Sequence, residues 1–377
     1  MATPTQSSTP GSTGSDPTVS CTTAVPGPNG HVPIDACNSF YNFEPHFAPA
    51  VACAVIFGFF TIAHLLQAIV YRKRFCWVII MGAAWETVAM TFGALGARDQ
   101  QQIAFATVHD LLFLLAPLWI NAFVYMTFAR LVHYWLPEKR VGVIKATSLA
   151  KYFVIADIIS FVIQGTGGTL ASPSSSPDVT KIGIDLYMAG LGLQEAFIVA
   201  FTCLMLIFQR QATKTQEIQG TYRERSWRPL LYALYSALAA ITLRIIYRIV
   251  EFSRGMNPSN PIPFHEEYAY ALDAFPMMLA ILVLVIWHPG RTLVGPDSEF
   301  PRLSRAEKKA LKLGKREMKA REKEKKRSLK TAKSGDQSSM YRLTDHLNVR
   351  NEERANYFKL GEAAEARPPL LAWSTRV

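Results

Sequence analysis

The chain has 377 residues, of which 50% are hydrophobic and 18% are charged, with a formal net charge of +11 at pH 7. These averages conceal three regions. Residues 1–46 are rich in Ser, Thr, Pro and Gly and contain no Lys or Arg, residues 47–288 consist mainly of apolar runs, and residues 289–377 are highly charged. Because no basic segment with a short apolar run precedes Phe47, we expect no cleaved signal peptide and expect the first apolar run to direct membrane insertion.

Seven apolar runs are long enough to cross a bilayer as helices, which takes about 20 residues. In chain order they cover residues 47–71, 76–97, 103–130, 148–170, 182–208, 229–252 and 267–287. The third is long enough to tilt or to extend beyond the membrane. The sequence therefore predicts an all-α, polytopic membrane protein: a tail over residues 1–46, then seven transmembrane helices within residues 47–290.

The distribution of Lys and Arg predicts the orientation of these helices. If the N-terminus is outside, the three short cytoplasmic loops carry 13 of these residues and the three outer loops carry 3. Because basic loops stay on the cytoplasmic side, we expect the N-terminus outside and the C-terminus in the cytosol. The outer compartment is oxidising, so Cys21 and Cys37 are candidates for a disulfide, with two free thiols as the alternative.

The region from residue 291 to 377 is predicted to be a basic cytosolic tail. A helix rich in Ala, Lys, Glu and Arg is expected at about 304–333, and the remainder lacks core-forming periodicity and is expected to be largely disordered. Excess positive charge beside a membrane suits contact with anionic lipids of the inner leaflet. The alternative is a solvated helix that only enforces the orientation.

The sixth and seventh apolar runs carry charge. At about 100° per residue, Arg244, Arg248 and Glu251 of the sixth run fall within roughly 60° of one another on one helical face. Asp273 lies near the start of the seventh run, at the predicted depth of Arg248, so we expect these two residues to pair. A charge facing hydrocarbon costs a few kcal/mol or more, so this face must look into the helix bundle or a wet cavity.

Other polar side chains are predicted between the midplane and the outer leaflet, namely Glu86, Asp110, Gln164 and Glu195. One interpretation is an outward-opening cavity that binds the head group of an amphiphile, with carboxylates for a cationic amine and arginines for a phosphate or carboxylate. The alternative is that the arginines and carboxylates hold helices together. Glu86 and Glu195 have no basic residue at their predicted depth, which favours binding of an amine or a proton.

Several other classes of seven-span protein do not fit. The predicted depths place His64 and His288 towards the inner face and His109 and His265 towards the outer face, and no close pair of histidines is expected. We therefore predict no metal, no cofactor and no enzymatic activity. The seventh run contains no Lys for a retinal Schiff base, Ala129-Arg130-Leu131 differs from the Asp-Arg-Tyr of G-protein-coupled receptors, and no nucleotide-binding motif is present.

Polar and small residues recur in a characteristic order in five of the runs. The last two contain an Arg…Arg…Glu-Phe…Gly segment, then His-Glu, Tyr…Asp and a final His-Pro: Arg244, Arg248, Glu251, Phe252, Gly255, His265, Glu266, Tyr270, Asp273, His288 and Pro289. The third, fourth and fifth contain Ala116, Pro117, Ala122, Tyr125, Met126, Arg130, Asp157, Ser160, Gln164, Gly167, Gly168, Ala189, Gly190, Leu191 and Gln194. Over residues 47–290 this pattern resembles the fungal RTA-like lipid-translocating exporters, although the second run matches only in Glu86.

The resemblance implies seven helices in a fungal membrane, most naturally the plasma membrane. It also implies translocation or export of amphiphilic lipids, with sphingoid bases or sterol-like amines as substrates and resistance to toxic lipids as the outcome. Porphyrin uptake is a further alternative. A seven-helix lipid sensor that signals through its cytosolic tail is the rival class. The expected partners are membrane lipids and an amphiphilic small molecule, and not nucleic acid.

Overall fold

The computed structural model describes residues 22–171, 176–219, 226–253, 260–295, 298–300 and 305–334. Within them, seven helical segments are long and apolar enough to cross a membrane, which confirms the predicted spans. The first six are α1 (Phe47–Val70), α2 (Trp77–Arg98), α3 (Ile103–Trp135), α4 (Ala146–Leu170), α5 (Pro177–Gln219) and α6 (Arg228–Ser253). The seventh span comprises α7 (Glu266–Ala269), a π-helical turn (Tyr270–Ala274) and α8 (Phe275–Ile286).

Two helices extend more than two residues beyond the predicted bounds. Helix α3 continues past residue 130, and α5 begins before residue 182 and ends well after residue 208. A helix satisfies its own backbone hydrogen bonds, so it can continue into water beyond the apolar run that predicted it. The loop after α3 also contains a small hairpin that was not predicted, in which β1 (Arg140–Val141) pairs antiparallel with β2 (Ile144–Lys145).

The seven spans close into a bundle. Each of α1 to α6 packs against the next helix in the chain, and the seventh span packs against both α6 and α1. Helix α3 additionally contacts α5 and α6, and α3 and α6 are the most buried spans. The side chains of Arg244, Arg248 and Glu251 on α6 are largely buried and therefore face protein, as the cost of placing charge in hydrocarbon requires.

Helices α4 and α5 approach each other closely. A side chain at Gly167 of α4 would collide with the backbone of Gly183 and Tyr187 on α5, and one at Gly190 would collide with Gln164. Small residues allow such close backbone packing between membrane helices. This packing brings the polar side chains of the two helices into contact.

The segment before α1 packs on the side of the bundle where α2 joins α3. The amide of Gln100 donates to the carbonyl of Asn29 (2.9 Å), and the side chain of Gln101 donates to that of Gly30 (2.9 Å). His46 contacts Glu266 at the start of the seventh span (3.0 Å). Cys37 is disulfide-bonded, whereas Cys21, its predicted partner, lies outside the described residues.

The opposite ends of the spans are joined through residues 288–295 and 298–300. The ammonium of Lys73 donates to the hydroxyl of Ser298 (2.6 Å), and burial lowers the pKa of Lys73. The guanidinium of Arg130 lies 3.9 Å from the ring centre of Phe75 and 5.3 Å from that of Phe300. These cation–π contacts tie the end of the seventh span to α3 and to the loop after α1.

The expectation that no histidines lie close together was wrong. The rings of His64 and His288 are both fully buried with centres 6.3 Å apart, and the Cys76 sulfur lies 3.4 Å from His288 Nε2. Predicted depth alone did not reveal this contact, because it depends on α1 and the seventh span being lateral neighbours. The described residues nevertheless include no group of three or more His, Cys, Asp or Glu side chains that could hold a metal ion.

A second unit follows Phe300. Its described part is α9 (Arg305–Ser334), at the place predicted for the charged helix. Along it, Lys326 pairs with Glu322 one turn earlier (2.9 Å), which lowers the pKa of Glu322. Residues 335–377, predicted to be disordered, lie outside the described residues.

Candidate functional site: a buried charge cluster

Arg244 reaches a backbone carbonyl that a proline has left without its helical partner. In an α-helix the carbonyl of Phe113 would accept the N–H of residue 117, but Pro117 has no N–H to donate. Arg244 Nη2 donates to this carbonyl instead, at 3.3 Å. The Phe113 ring also lies 5.7 Å from the guanidinium carbon of Arg244 and 5.9 Å from that of Arg248. One broken turn of α3 therefore helps to hold both arginines.

Asp273 lies in the π-helical turn of the seventh span, and it is fully buried. The turn is closed by a hydrogen bond from the Phe275 amide to the Tyr270 carbonyl, five residues back. Pro276 follows immediately and cannot donate to the preceding turn, which is a common cause of such irregularity. π-Helical turns are frequent at functional sites. Here the turn presents a carboxylate to α6.

The charged residues of α6 and the seventh span form what we call the charge cluster: Arg244, Arg248, Glu251 and Asp273. Both arginines pair with Asp273, and the predicted pair of Arg248 and Asp273 is present with Nη2 and Oδ2 2.5 Å apart. Arg248 also pairs with Glu251 (3.0 Å), to which the Tyr247 hydroxyl donates (3.4 Å). Opposite charges thus balance within the cluster, as a low-dielectric site requires.

The cluster is sealed at one end and partly open at the other. The side chains of Arg244 and Asp273 are 4% and 0% exposed, whereas those of Arg248 and Glu251 are 18% and 12% exposed. Glu251 lies later in α6, towards the loop that joins it to the seventh span. The accessible part of the cluster therefore faces the same side of the bundle as the segment before α1.

Acidic groups surround this open end. Asp110 is exposed and interacts electrostatically with Arg248. Burial, together with the charges of Asp110, Asp99 and Glu266, raises the pKa of Tyr41 to about 12. These three carboxyl groups act on one phenol, and we call this region the acidic entrance, because its carboxylates suit a cation.

Glu86 of α2 interacts electrostatically with Arg244, Asp273 and Arg248. It is fully buried, and within the described structure neither of its carboxyl oxygens has a hydrogen-bond partner. An orphaned buried carboxyl beside an ion-pair network is unusual, because buried polar groups are nearly always satisfied.

Two of the predicted site residues lie outside this arrangement. The side-chain amide of Gln164 donates to the Gln194 side chain at 2.9 Å, in the close α4–α5 contact. Glu195 is partly buried and accepts a hydrogen bond from the Thr242 hydroxyl (3.0 Å), while its Oε2 has no partner among the described residues. The structure therefore brings Glu86, Asp110, Arg244, Arg248, Glu251 and Asp273 together, and it places Gln164 and Glu195 elsewhere.

Other residues of the site were not found from the sequence. Tyr187 of α5 interacts electrostatically with both arginines of the cluster, and nothing near it in sequence indicated this. The Phe113 carbonyl was foreseeable, since Pro117 identifies the carbonyl four residues earlier. Asp157, which had no expected partner, accepts hydrogen bonds from Asn121 (3.0 Å) and Tyr125 (3.3 Å), and so joins α4 to α3.

Comparison with known proteins identifies the family. Residues 79–295 match the family described as RTA1 like protein. The chain is 40% identical over 299 residues to the probable lipid transporter atnI of Emericella nidulans, covering 77% of this chain and 78% of that protein. It is 32% identical over 209 residues to protoporphyrin uptake protein 1 of Saccharomyces cerevisiae, covering 54% and 65%.

A more distant relative is the sphingoid long-chain base transporter RSB1 of Saccharomyces cerevisiae, 22% identical over 298 residues, which cover 70% of this chain and 77% of that protein. No solved structure matches the chain. The family match extends over more than half of the sequence and includes the whole charge cluster. The chain is thus an integral membrane protein of the RTA1-like family.

Proposed function

We propose that this protein translocates amphiphilic lipids that carry a cationic amine, such as sphingoid bases or sterol-like amines, across a fungal plasma membrane. This activity would contribute to resistance against toxic lipids. Relatives named as a lipid transporter and as a sphingoid long-chain base transporter support the lipid class. Because the distribution of Lys and Arg predicts an outside N-terminus, we expect the open end of the cluster to face the exterior.

The acidic entrance to the charge cluster is the observation that supports an amine as the head group of the substrate. An ammonium head group can approach Asp110 and then Glu251, which is partly exposed and already shared between Arg248 and Tyr247. Inside, Asp273 has two arginine partners. A cation that binds Glu251 or Asp273 must weaken one of these ion pairs. Binding is therefore coupled to the packing of α6 against the seventh span.

Reconstitution tests the proposal. Purified protein in liposomes should move a fluorescently labelled sphingoid base between leaflets, and Asp110→Asn and Glu251→Gln should each slow transfer about tenfold. A charge-assisted contact of roughly 1.5 kcal/mol corresponds to that factor. Glu138→Gln is the matched control, because Glu138 is an exposed acid that only pairs with Arg140 beyond α3. Surface pairs of this kind contribute little.

Transfer by the parent protein alone would also separate a transporter from a lipid sensor, which binds lipid without moving it. If the parent binds the labelled base but leaves its leaflet distribution unchanged, the transport proposal is wrong. Equal rates for the parent and both site variants would remove the proposed role of the acidic entrance.

Porphyrin uptake is the second candidate. A relative named protoporphyrin uptake protein 1 favours it, and the partly exposed Arg248 could pair with a porphyrin carboxylate. The two substrates make opposite predictions. Asp110→Asn should slow transfer of an amine but leave transfer of a dicarboxylate porphyrin unchanged or faster.

The basic helix α9 is proposed to contact anionic lipid of the inner leaflet. At about 100° per residue, five basic residues with exposed side chains share an arc of roughly 100°. They are Arg316, Lys319, Lys323, Lys326 and Arg327. Each basic residue near an anionic surface contributes about 1 kcal/mol.

Charge reversal tests this contact in the full chain within nanodiscs. Lys319→Glu with Lys326→Glu should abolish the slower hydrogen exchange of α9 that we expect in anionic compared with neutral lipid. Arg321→Glu with Lys325→Glu changes the net charge equally but lies off the basic arc, so it should largely retain that protection. Equal loss in both double variants would mean that net charge matters and the arc does not.

A further inference from the structure

The surroundings of Glu86 provide no hydrogen-bond donor for a carboxylate and leave no exposed surface for a lipid head group. It lies near the middle of α2, its side chain is fully buried, and neither carboxyl oxygen finds a hydrogen-bond donor in the described structure. An ionised carboxylate left without partners in an apolar interior costs several kcal/mol, whereas the protonated carboxyl is tolerated. The ligand that fits this position in the present conformation is a proton.

Ionisable groups lie near Glu86 on three elements of the bundle. Arg244 and Arg248 lie on α6, Asp273 lies on the seventh span, and the Cys53 thiol lies on α1. The charge cluster is already balanced, with two arginines and the two carboxylates of Glu251 and Asp273. Ionisation of Glu86 would add an unbalanced negative charge next to Arg244.

We propose that Glu86 is the proton-binding site of a proton-coupled transport cycle, with Arg244 as the switch between Glu86 and Asp273. In the conformation described, Glu86 holds its proton and Arg244 pairs with Asp273. When the proton leaves, the new carboxylate attracts Arg244, and Asp273 keeps only Arg248. This inference rests on the proposed translocation of cationic lipids.

The exchange balances charge. The O–H bond of the Glu86 carboxyl breaks, and the proton passes to water on one side of the membrane. Asp273 has then lost Arg244 as a partner, and the ammonium group of a lipid can take its place beside the carboxylate. When the lipid departs, a proton from the other side re-forms the O–H bond and Arg244 returns to Asp273. One proton is thereby exchanged for one lipid cation.

Infrared spectroscopy tests the proton site without any transport. The parent protein in nanodiscs should show the C=O stretch of a buried protonated carboxyl that disappears as the pH is raised. Glu86→Gln should lack this band, whereas Glu86→Asp, which keeps a carboxyl, should retain a pH-dependent band at a shifted frequency. A parent spectrum with no such band, or a Glu86→Gln spectrum whose carboxyl absorption equals that of the parent, would overturn the proposal even if lipid is transported.

Transport tests the coupling separately. With a pH gradient across liposomes, the parent should accumulate the labelled sphingoid base several-fold, and Glu86→Gln should only equilibrate it. The exposed Glu138→Gln control should accumulate the base like the parent. Accumulation by Glu86→Gln contradicts the coupling. If the parent moves no lipid at all, the proposed function fails, and the infrared band alone then decides whether Glu86 is a proton site.

Discussion

At the scale of single residues, Asp273 is the centre of the membrane-buried charge. It is fully buried and pairs with two arginines, one of which also pairs with Glu251. Removing one partner of a buried ion pair leaves the other charge uncompensated and typically costs about 3–5 kcal/mol. Stability and function are therefore linked at this position.

The first prediction concerns Arg248 and Asp273. Arg248→Ala should lower the amount of folded protein, because Asp273 loses one of its two cations, and Asp273→Ala should lower it further because both arginines lose their shared carboxylate. The amount of monodisperse protein after extraction, together with thermal unfolding, measures this effect.

The charge exchange Arg248→Asp with Asp273→Arg should recover part of the loss if the pair is mainly structural, because the attraction is kept. Arg140→Ala, which removes only an exposed pair with Glu138, is the control and should have no effect. If both single changes leave stability and lipid resistance untouched, the pair has no energetic role.

The second prediction concerns Glu195, which is partly buried, with Thr242 as hydrogen-bond donor. Glu195→Gln keeps the shape and the acceptor oxygen but removes the charge. If Glu195 binds an amine or carries a proton, the variant should reach the membrane at normal levels yet protect cells less against a toxic sphingoid base. Survival curves and uptake kinetics measure this.

Thr242→Val is the companion variant, because it removes the hydroxyl and keeps the carboxylate. It should retain most of the protection. Protection and uptake by Glu195→Gln that match the parent would identify Glu195 as a packing residue only.

At the scale of helices, two prolines build the cluster by interrupting hydrogen bonds. Pro117 leaves the carbonyl of Phe113 to Arg244, and Pro276 follows the π-helical turn that contains Asp273. Neighbouring groups can satisfy the backbone that a proline frees inside a membrane helix. In α3 the neighbouring group is a charged side chain of the site.

The third prediction follows from the hydrogen bond that Arg244 donates to the Phe113 carbonyl in place of a backbone N–H. Pro117→Ala restores an N–H that can donate to Phe113, in competition with Arg244. We expect unchanged or higher thermal stability, because proline inside a helix costs about 3 kcal/mol, together with several-fold slower lipid transfer. Pro137→Ala, at an exposed proline just after α3, should change neither quantity. Transfer at the parent rate in Pro117→Ala would show that Arg244 does not need this carbonyl.

At the scale of the whole molecule, the two faces of the bundle differ. On one face, the cluster opens near Asp110 and the segment before α1. On the other, Ser298 and Phe300, which follow the seventh span, contact Lys73 in the loop after α1 and Arg130 on α3. An arrangement open on one side and closed on the other is what a transporter needs in one of its states.

The fourth prediction assigns these faces to compartments. A tag placed before Thr3 should be accessible to antibody in intact protoplasts, and a tag after Val377 should become accessible only after permeabilisation, because the cytoplasmic loops carry 13 basic residues against 3. The opposite labelling pattern would place the acidic entrance in the cytosol and reverse the proposed direction of approach.

The seven spans and the charged face of α6 could be predicted from the amino-acid sequence. Both are local properties, since spanning requires a sufficient apolar length and the face of a helix follows from residue spacing. Depth counted along α6 and the seventh span was also sufficient to pair Arg248 with Asp273, because consecutive antiparallel helices bring equal depths together.

The sequence did not predict which distant helices meet or how each is rotated. The contact between His64 and His288 follows from α1 lying beside the seventh span, and the contacts of Arg244 with the Phe113 carbonyl and with Tyr187 follow from the positions of α3 and α5 around α6. Helix rotation also distinguishes Glu86 from Glu195, for which the sequence makes the same prediction. Glu86 lies next to the cluster, and Glu195 does not. Apolar length fixes neither the lateral order nor the rotation of a helix, because side-chain packing between helices sets both.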